Sequence, residues 1–281
     1  MKSRSIPNVL TIAGVDPSGG AGIVADVKAI SAQGAYACAV VAALTAQNTQ
    51  AVTDVLAVDP LFVARQIDTL FADVRIDSLK IGMVGQAAVI EVVADRLARY
   101  DTSHRVLDPV MVAKSGDVLL EKAAIGALRE TLLPLATIIT PNLPEAGVLL
   151  EARAVETTKE MYRAAERLRE LMRASGARWV YLKGGHLPGG DAFDLLTDGD
   201  RMIELEAPRI ATRNTHGTGC TLSAALAALL PQSGDVPEAA RRAKAYVTEA
   251  LRHADQLSVG AGHGPVHHFY ELWRRANDAV T

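Results

Sequence analysis

Residues 9–33, VLTIAGVDPSGGAGIVADVKAISAQ, set a pattern that the rest of the chain repeats. The β-branched apolar run 9–15 predicts a buried strand, and the Asp, Pro, Ser and Gly residues that follow it predict a loop. Residues 23–33 then have the spacing of apolar side chains that is typical of a helix. A unit of strand, glycine loop and helix indicates an α/β protein with a parallel sheet.

The glycine loop of this unit, residues 16–22, matches neither of two phosphate-binding patterns. It lacks GxxxxGK[ST], and Gly20-Ala21-Gly22 is followed by Ala25 where GxGxxG requires glycine. These mismatches argue against a Walker-type NTPase and against a dinucleotide-binding fold.

The alternation of strands and helices continues along the chain. After Gly184 it gives way to short pieces at 193–196 and 202–207, which predict an antiparallel edge. We therefore expect a three-layer α/β/α architecture in which helices cover both faces of a mainly parallel sheet, in a single domain over residues 1–281. The other predicted strands are residues 37–44, 52–58, 79–81, 105–107, 137–140 and 179–182, and the predicted helices are residues 23–33, 61–71, 86–100, 118–133, 145–150, 158–175, 218–230 and 237–257.

Composition narrows the classes of function. The chain has 281 residues, of which 49% are hydrophobic, and its 29 basic and 32 acidic residues give a formal charge of -3. Because these charges are interspersed, we expect no nucleic acid partner, and the apolar runs, such as residues 37–44, are too short to span a membrane. The two cysteines, Cys38 and Cys220, have no CxxC or metal-ligand spacing, which favours a reducing, cytoplasmic location.

Polar side chains follow several predicted strands at the points where those strands end. In open α/β sheets, ligands bind beyond the carboxyl ends of the strands, so we expect these residues to share one rim. They are Asp16, Gln47, Asn48, Asp108, Thr140, Asn142, Lys183 and His186.

Residues 212–224, TRNTHGTGCTLSA, predict a second glycine loop that opens a helix. Free N–H groups in a first helical turn, reached closely at Gly217 and Gly219, make an anion site for which phosphate is the expected guest. The alternative is that the glycines are turn residues and Thr221 is a cap. If Cys220 lies at the helix N-terminus, we expect its pKa to fall from about 8.5 towards neutrality, although many single cysteines are buried and inert.

Other candidate residues also allow two interpretations. Asn142 with Glu145 and an intervening proline fits a capping box, or Glu145 holds hydrated Mg²⁺ beside nucleotide phosphates. Lys183 is either a solvated lysine or a cation near a developing phosphate charge, and Asp108 either a turn residue or part of that site. Gln47 either caps backbone or pairs with the edge of a heteroaromatic ring.

Two further segments are less specific. Residues 114–117 predict either a flap over a site or an ordinary loop. The pair His267-His268 is most simply a surface feature.

Taken together, six segments resemble the hydroxymethylpyrimidine/phosphomethylpyrimidine kinase family, and the likeness spans essentially the whole chain. It implies a ribokinase-like fold, ATP and Mg²⁺ as cofactors, and a homodimer. It also implies two phosphorylations in thiamine biosynthesis, of 4-amino-5-hydroxymethyl-2-methylpyrimidine to its monophosphate and then to its diphosphate. The segments are residues 13–22, 45–49, 80–83, 140–145, 183–186 and 215–221, and residues 262–268 also look like this family.

The same resemblance implies roles for individual residues. It implies an anion hole at residues 217–220. Cys220 stands where sugar kinases of the wider superfamily carry an aspartate base, so the identity of the catalytic base is undecided. The implied catalytic residues are Gly217, Gly219, Cys220 and Lys183. The implied pyrimidine contacts are Gly14, Asp26, Gln47 and Val110. The implied ATP contacts are Asp108, Thr140, Asn142, Lys183 and Thr215, and the implied metal ligand is Glu145.

Three rival functions remain. A pyridoxine or pyridoxal kinase, alone or as a second activity, shares the chemistry, although the amide of Gln47 favours an aminopyrimidine ring. A thiol hydrolase would use Cys220 as nucleophile with His216 or His186 as base. The third rival is a ligand-binding protein without activity.

Overall fold

The computed structural model describes residues 5–111, 122–172, 178–185, 187 and 189–273, and these ranges contain nine strands and eight α-helices. The strands are β1 (Asn8–Val15), β2 (Tyr36–Gln47), β3 (Val52–Ala57), β4 (Ser78–Ile81), β5 (His104–Leu107), β6 (Ile138–Ile139), β7 (Trp179–Lys183), β8 (Asp191–Thr197) and β9 (Met202–Pro208). The helices are α1 (Gly22–Ala32), α2 (Pro60–Phe71), α3 (Ala87–Leu97), α4 (Lys122–Ala127), α5 (Leu143–Leu149), α6 (Thr158–Leu171), α7 (Thr218–Leu229) and α8 (Val236–Arg252).

The strands form one sheet in the order β3-β2-β1-β4-β5-β6-β7-β8-β9. The six strands from β2 to β7 in this order run parallel, and β8 and β9 continue the sheet as an antiparallel hairpin. The predicted mainly parallel sheet with an antiparallel edge after Gly184 is therefore confirmed.

The opposite edge differs from the expectation. β3 pairs antiparallel with the end of β2, from Ala43 opposite Ala57 to Gln47 opposite Val52. Only residues 48–51 join the two strands, whereas a parallel partner needs a crossover of a dozen or more residues. The sheet consequently has antiparallel strands at both edges, and the prediction of one such edge was incomplete.

Helices cover both faces of the sheet, as predicted. Successive side chains of β1 point to opposite faces, so that Val9 packs in the core under α1, α7 and α8 while Leu10 packs in the core under α2 to α6. Residues 221–229 of α7 are all buried, because α7 lies against the sheet and between α1 and α8. This placement explains why its sequence is apolar on every side.

Two expectations concern the chain as a whole. Among the described residues, no helix combines the length and the apolar character needed to cross a membrane. Residues 114–117, the predicted flap, lie outside the described residues, and the single domain over 1–281 stays a prediction.

Candidate active site

A cavity of about 720 Å³ lies at the carboxyl ends of the parallel strands. Its wall includes every residue to which the resemblance assigns a role except Asp26 and Thr140. Of the other rim candidates, Asp16 lines it, Asn48 does not, and His186 lies outside the described residues. The candidates that line it are Gly14, Gln47, Asp108, Val110, Asn142, Glu145, Lys183, Thr215, Gly217, Gly219 and Cys220.

The glycine loop before α7 forms one wall of this cavity. Gly217 has φ 73°, a left-handed backbone conformation that favours glycine, and α7 begins at the next residue. Within the part of the chain that the structure describes, no side chain caps α7, and residues 217–220 face the cavity. The first turn of α7 is thus arranged to receive an anion.

The two glycine loops touch each other. A Cβ atom placed on Gly217 would lie 1.7 Å from the carbonyl oxygen of Gly20 and 3.3 Å from the Cα of Ala21. This contact is possible only without a side chain at residue 217. The loop after β1 therefore sets the position of the loop before α7.

Lys183 lies at the centre of the charged part of the cavity. Its Nζ atom is 2.9 Å from Oδ1 of Asp108 and 3.9 Å from Oε2 of Glu145. The hydroxyl groups of Thr140 and Ser223 donate to Asp108 at 3.0 and 3.1 Å. A Cβ on Gly219 would be 3.2 Å from the same Nζ, so the ammonium lies directly beside the first turn of α7.

Burial and charge pairing oppose each other in this group. Burial alone would raise the pKa of Asp108, but Lys183 and Lys80 hold it below its usual value. Burial alone would lower the pKa of Lys183, but the neighbouring carboxylates raise it, so the ammonium stays charged. For Glu145 burial prevails and raises the pKa to about 7, against the opposing effect of Lys183.

Asn142 and Glu145 form the predicted capping box at the start of α5. The Asn142 side chain accepts a hydrogen bond from the Glu145 N–H at 2.8 Å, and the Glu145 carboxylate accepts one from the Asn142 N–H at 2.7 Å. Both residues also line the cavity. Capping and a role in the site are therefore compatible, because each carboxylate oxygen has more than one lone pair.

At the other end of the cavity lies Gln47, the last residue of β2. The hydroxyl of Thr45 lies 2.9 Å from the carbonyl oxygen of Val15 and 3.1 Å from Oε1 of Gln47. A Cβ on Gly14 would lie 2.7 Å from the terminal methyl of Met83, which also lines the cavity. Gln47 therefore contributes an amide to the cavity at the carboxyl end of β2, beside Thr45.

Asp26 and Thr140 lie behind the cavity wall. Asp26 is fully buried and accepts hydrogen bonds from Lys80 at 2.7 and 2.9 Å and from Thr11 at 2.6 Å. The structure therefore does not place Asp26 where it could touch a molecule in the cavity. Asp26 contacts Lys80, and Thr140 contacts Asp108, so each reaches the cavity only through a residue that lines it.

Lys80 is the site residue for which sequence reasoning found no role. It is fully buried, yet part of it lines the cavity. Its neighbours in β4, Leu79 and Ile81, are apolar, and a lysine within a buried strand requires a charged partner. The energetic cost of burying an unpaired lysine could therefore have identified Lys80 from the sequence, although the sequence did not show that its partner is Asp26.

Comparison with known proteins agrees with this geometry. The family model described as phosphomethylpyrimidine kinase matches residues 16–267. The chain belongs to the phosphomethylpyrimidine kinase family. Over 266 residues it is 52% identical to the hydroxymethylpyrimidine/phosphomethylpyrimidine kinase of Escherichia coli (strain K12), covering 95% of this chain and 98% of that protein.

Solved structures show the same fold. The phosphomethylpyrimidine kinase of Clostridium difficile 630 is similar with a TM-score of 0.76 and 38% identity, covering 87% of this chain and 99% of that one. The ADP complex of Bacillus subtilis pyridoxal kinase is similar with a TM-score of 0.86 and 35% identity, covering 94% and 98%. Both the phosphomethylpyrimidine kinase family and pyridoxal kinases therefore share this architecture.

Cys220 differs from the expectation of a reactive thiol. Burial raises its pKa to about 11, so the lowered value that we expected from the helix N-terminus is wrong. Nε2 of His216 lies 2.7 Å from Oδ2 of Asp16, so this histidine is paired with a carboxylate. The other candidate base, His186, lies outside the described residues. In this member of the phosphomethylpyrimidine kinase family, Cys220 thus lacks the features of an activated nucleophile.

We expect iodoacetamide to alkylate Cys220 slowly at pH 7, because only the thiolate reacts and the thiol pKa is about 11. The rate should rise about tenfold per pH unit above neutrality. Peptide mapping by mass spectrometry over the range in which the protein stays folded measures this, with free N-acetylcysteine as the control. An alkylation rate at Cys220 that levels off near pH 7 would contradict the raised pKa and would favour the thiol hydrolase as the function.

Proposed function

We propose that this chain uses ATP to phosphorylate 4-amino-5-hydroxymethyl-2-methylpyrimidine to its monophosphate and then to its diphosphate, in thiamine biosynthesis. The observation that carries the proposal is that one cavity holds both the amide of Gln47 and the first turn of α7. A ring-binding group and an anion site in one cavity are what a kinase for a small heteroaromatic alcohol requires. The names of relatives about half identical in sequence support the same activity.

The pyrimidine would bind beyond the carboxyl ends of β1 and β2. The amide of Gln47 has a donor and an acceptor, which match an exocyclic amine and the adjacent ring nitrogen. Gly14 and Val110 line the same cavity and would flank the ring. The hydroxymethyl group would then face the loop before α7.

Phosphoryl transfer would take place at that loop. Such transfers are catalysed mainly by alignment and by stabilising charge on the oxygen atoms in transit. The N–H groups of Gly217, Gly219 and Cys220 and the ammonium of Lys183 would supply positive charge there, and Asp108 contacts Lys183 at 2.9 Å. A neutral Cys220 thiol would not repel the phosphate acceptor of the second step, as a carboxylate would.

ATP would occupy the end of the cavity between α7 and α8. Apolar side chains form its wall there and suit an adenine base. The similar pyridoxal kinase of Bacillus subtilis was solved as an ADP complex. In the proposed arrangement, Asn142 and Thr215 would contact the ATP between its base and Lys183. The apolar residues that line the cavity here are Ile210, Leu222, Val247 and Leu251.

Mg²⁺ is the metal that this reaction would use. Among the described residues, no group of three or more His, Cys, Asp or Glu residues is arranged to hold a metal ion. That is compatible with Mg²⁺, which keeps several waters and is bound through one or two carboxylates together with substrate phosphates. Glu145 would be the carboxylate, and the bound ion would neutralise charge on the ATP phosphates.

The proposal is tested by incubating the protein with Mg-ATP and the pyrimidine, with pyridoxine in a parallel reaction, and following products by mass spectrometry. We expect the pyrimidine monophosphate first and the diphosphate later. Phosphorylation of pyridoxine alone would instead favour the pyridoxal kinase, which the similarity to the Bacillus enzyme supports. The Lys183→Met variant is the control for charge stabilisation, and the homodimer and cytoplasmic location stay predictions.

A further inference from the structure

The segment after α8, residues 260–268, contacts both Thr49 and the loop before α7; we name it the C-terminal strap. His267 and His268 were expected at the surface, but they are buried, and so are residues 264–266. The expectation was wrong because this part of the strap packs against α7 and α8. The His267 N–H donates to the carbonyl of Ala250 in α8 at 2.9 Å.

One end of the strap is bound to Thr49, two residues after Gln47. The hydroxyl of Thr49 accepts a hydrogen bond from the Gly262 N–H at 3.1 Å, and its carbonyl accepts one from the His263 N–H at 2.9 Å. A Cβ on Gly262 would lie 2.1 Å from that carbonyl oxygen. Thr49 is itself buried, although it lies in the turn between β2 and β3.

The other end of the strap is bound to the loop before α7. The carbonyl of Gly264 accepts a hydrogen bond from the His216 N–H at 3.0 Å, and Pro265 pairs with His216 as a short parallel bridge. Further along, Nε2 of His268 lies 3.0 Å from the hydroxyl of Thr221 in α7. Residue 216 directly precedes Gly217, the N-cap residue of α7.

The strap therefore joins the Gln47 end of the cavity to its phosphate end within a few residues. The two ends belong to distant parts of the chain, and β2 carries Gln47 beyond the parallel core, into the antiparallel pairing with β3. A bond from Thr49 to the strap restricts the movement of that corner relative to α7. Alignment of acceptor and phosphate is the main requirement of phosphoryl transfer, and small displacements reduce the rate greatly. A displaced Gln47 amide would also make poorer hydrogen bonds to the ring, which weakens binding of the acceptor.

We propose that Thr49 is a positioning residue, which holds the Gln47 corner at a set distance from the phosphate-binding loop by anchoring the C-terminal strap. The proposal rests on the proposed function for the identity of the acceptor, a hydroxymethylpyrimidine. Thr49 does not touch the cavity wall, and its effect is transmitted through the hydrogen bond to Gly262.

The kinetic test compares Thr49→Val with Thr49→Ser. Valine has the shape of threonine but leaves the Gly262 N–H without its partner, and we expect the KM for the pyrimidine to rise about tenfold while the KM for ATP changes less than about twofold. Serine keeps the hydroxyl and should restore the wild-type KM. The matched control is Thr53→Val in the same hairpin, because the Thr53 hydroxyl donates to Ala46 and does not reach the strap.

Hydrogen exchange provides a measurement that needs no substrate. In the free protein we expect the amides of residues 45–51 to exchange faster in Thr49→Val than in the wild type, Thr49→Ser or Thr53→Val. Unchanged exchange in Thr49→Val, equal rises in both KM values, or failure of serine to restore the KM would each overturn the proposal. A wild-type protein that does not phosphorylate the pyrimidine would refute the proposed function, while the exchange data would still decide the role of Thr49.

Discussion

Replacing Gly217 with alanine is expected to lower kcat by about 10²–10³-fold, the loss seen when a preorganised donor is removed from a site that stabilises developing charge. The reason is steric. Gly217 has φ 73°, and an added Cβ would lie 1.7 Å from the backbone oxygen of Gly20. Because the obstructing atom is backbone, one of the two glycine loops must move, and the first turn of α7 moves with it.

The measurement is steady-state kinetics of pyrimidine phosphorylation, with circular dichroism to confirm folding. Gly234→Ala is the matched control, because a Cβ there meets nothing within 4 Å. Gly219→Ala should have a smaller effect than Gly217→Ala, since the nearest atom to its Cβ is Lys183 Nζ at 3.2 Å, a side-chain atom at nearly twice the distance of the Gly20 oxygen from Gly217 Cβ. A folded Gly217→Ala enzyme with a kcat within about tenfold of the wild type would show that the loop does not set the rate.

Removing one partner of the Asp26–Lys80 pair is expected to lower the free energy of unfolding by about 3–5 kcal/mol, because the remaining charge is buried without compensation. Both side chains are fully buried, and Lys80 Nζ lies 2.7 Å from Asp26 Oδ2. Burial alone would lower the pKa of Lys80, but Asp26 raises it above its usual value, so the lysine is charged.

A double-mutant cycle measured by urea unfolding tests this expectation. Asp26→Ala and Lys80→Met should each be strongly destabilising, whereas the double variant should be much less destabilised than the sum of the two. Buried ion pairs replaced by apolar residues are often neutral overall. Additive losses, or single losses below about 1 kcal/mol, would mean that the pair contributes no more than an exposed one. The exposed Arg99–Asp95 pair of α3 and its adjoining turn provides the control.

The positions of the main site residues were predictable from the ends of strands. Asp108, Asn142 and Lys183 each follow an apolar strand, and in a parallel sheet the carboxyl ends of all strands lie at one edge. The contacts between Asp108 and Lys183 and between Lys183 and Glu145 follow from that rule and the order of the strands. The capping box at Glu145 was readable from four consecutive residues, because a cap is a local interaction.

Other features depended on partners that are far away in the chain. The pairing of β3 with β2 was missed because a strand pattern does not state the direction of its partner, although the short connection at residues 48–51 contained that information. The raised pKa of Cys220 was missed because desolvation depends on what covers a thiol, and this outweighed the helix terminus that the sequence revealed. The burial of His267 and His268 was missed for the same reason.

The sequence by itself therefore determined the layered α/β architecture, the two glycine loops and the polar rim, because periodicity, turn chemistry and strand ends are local properties. Only the tertiary structure decided that Gly20 touches Gly217, that the Asp26 carboxylate pairs with the Lys80 ammonium, and that residues 260–268 connect Thr49 to the loop before α7. Each of these contacts joins segments that are far apart in the chain. Their energies come from burial and charge, which depend on the neighbours that the completed fold supplies.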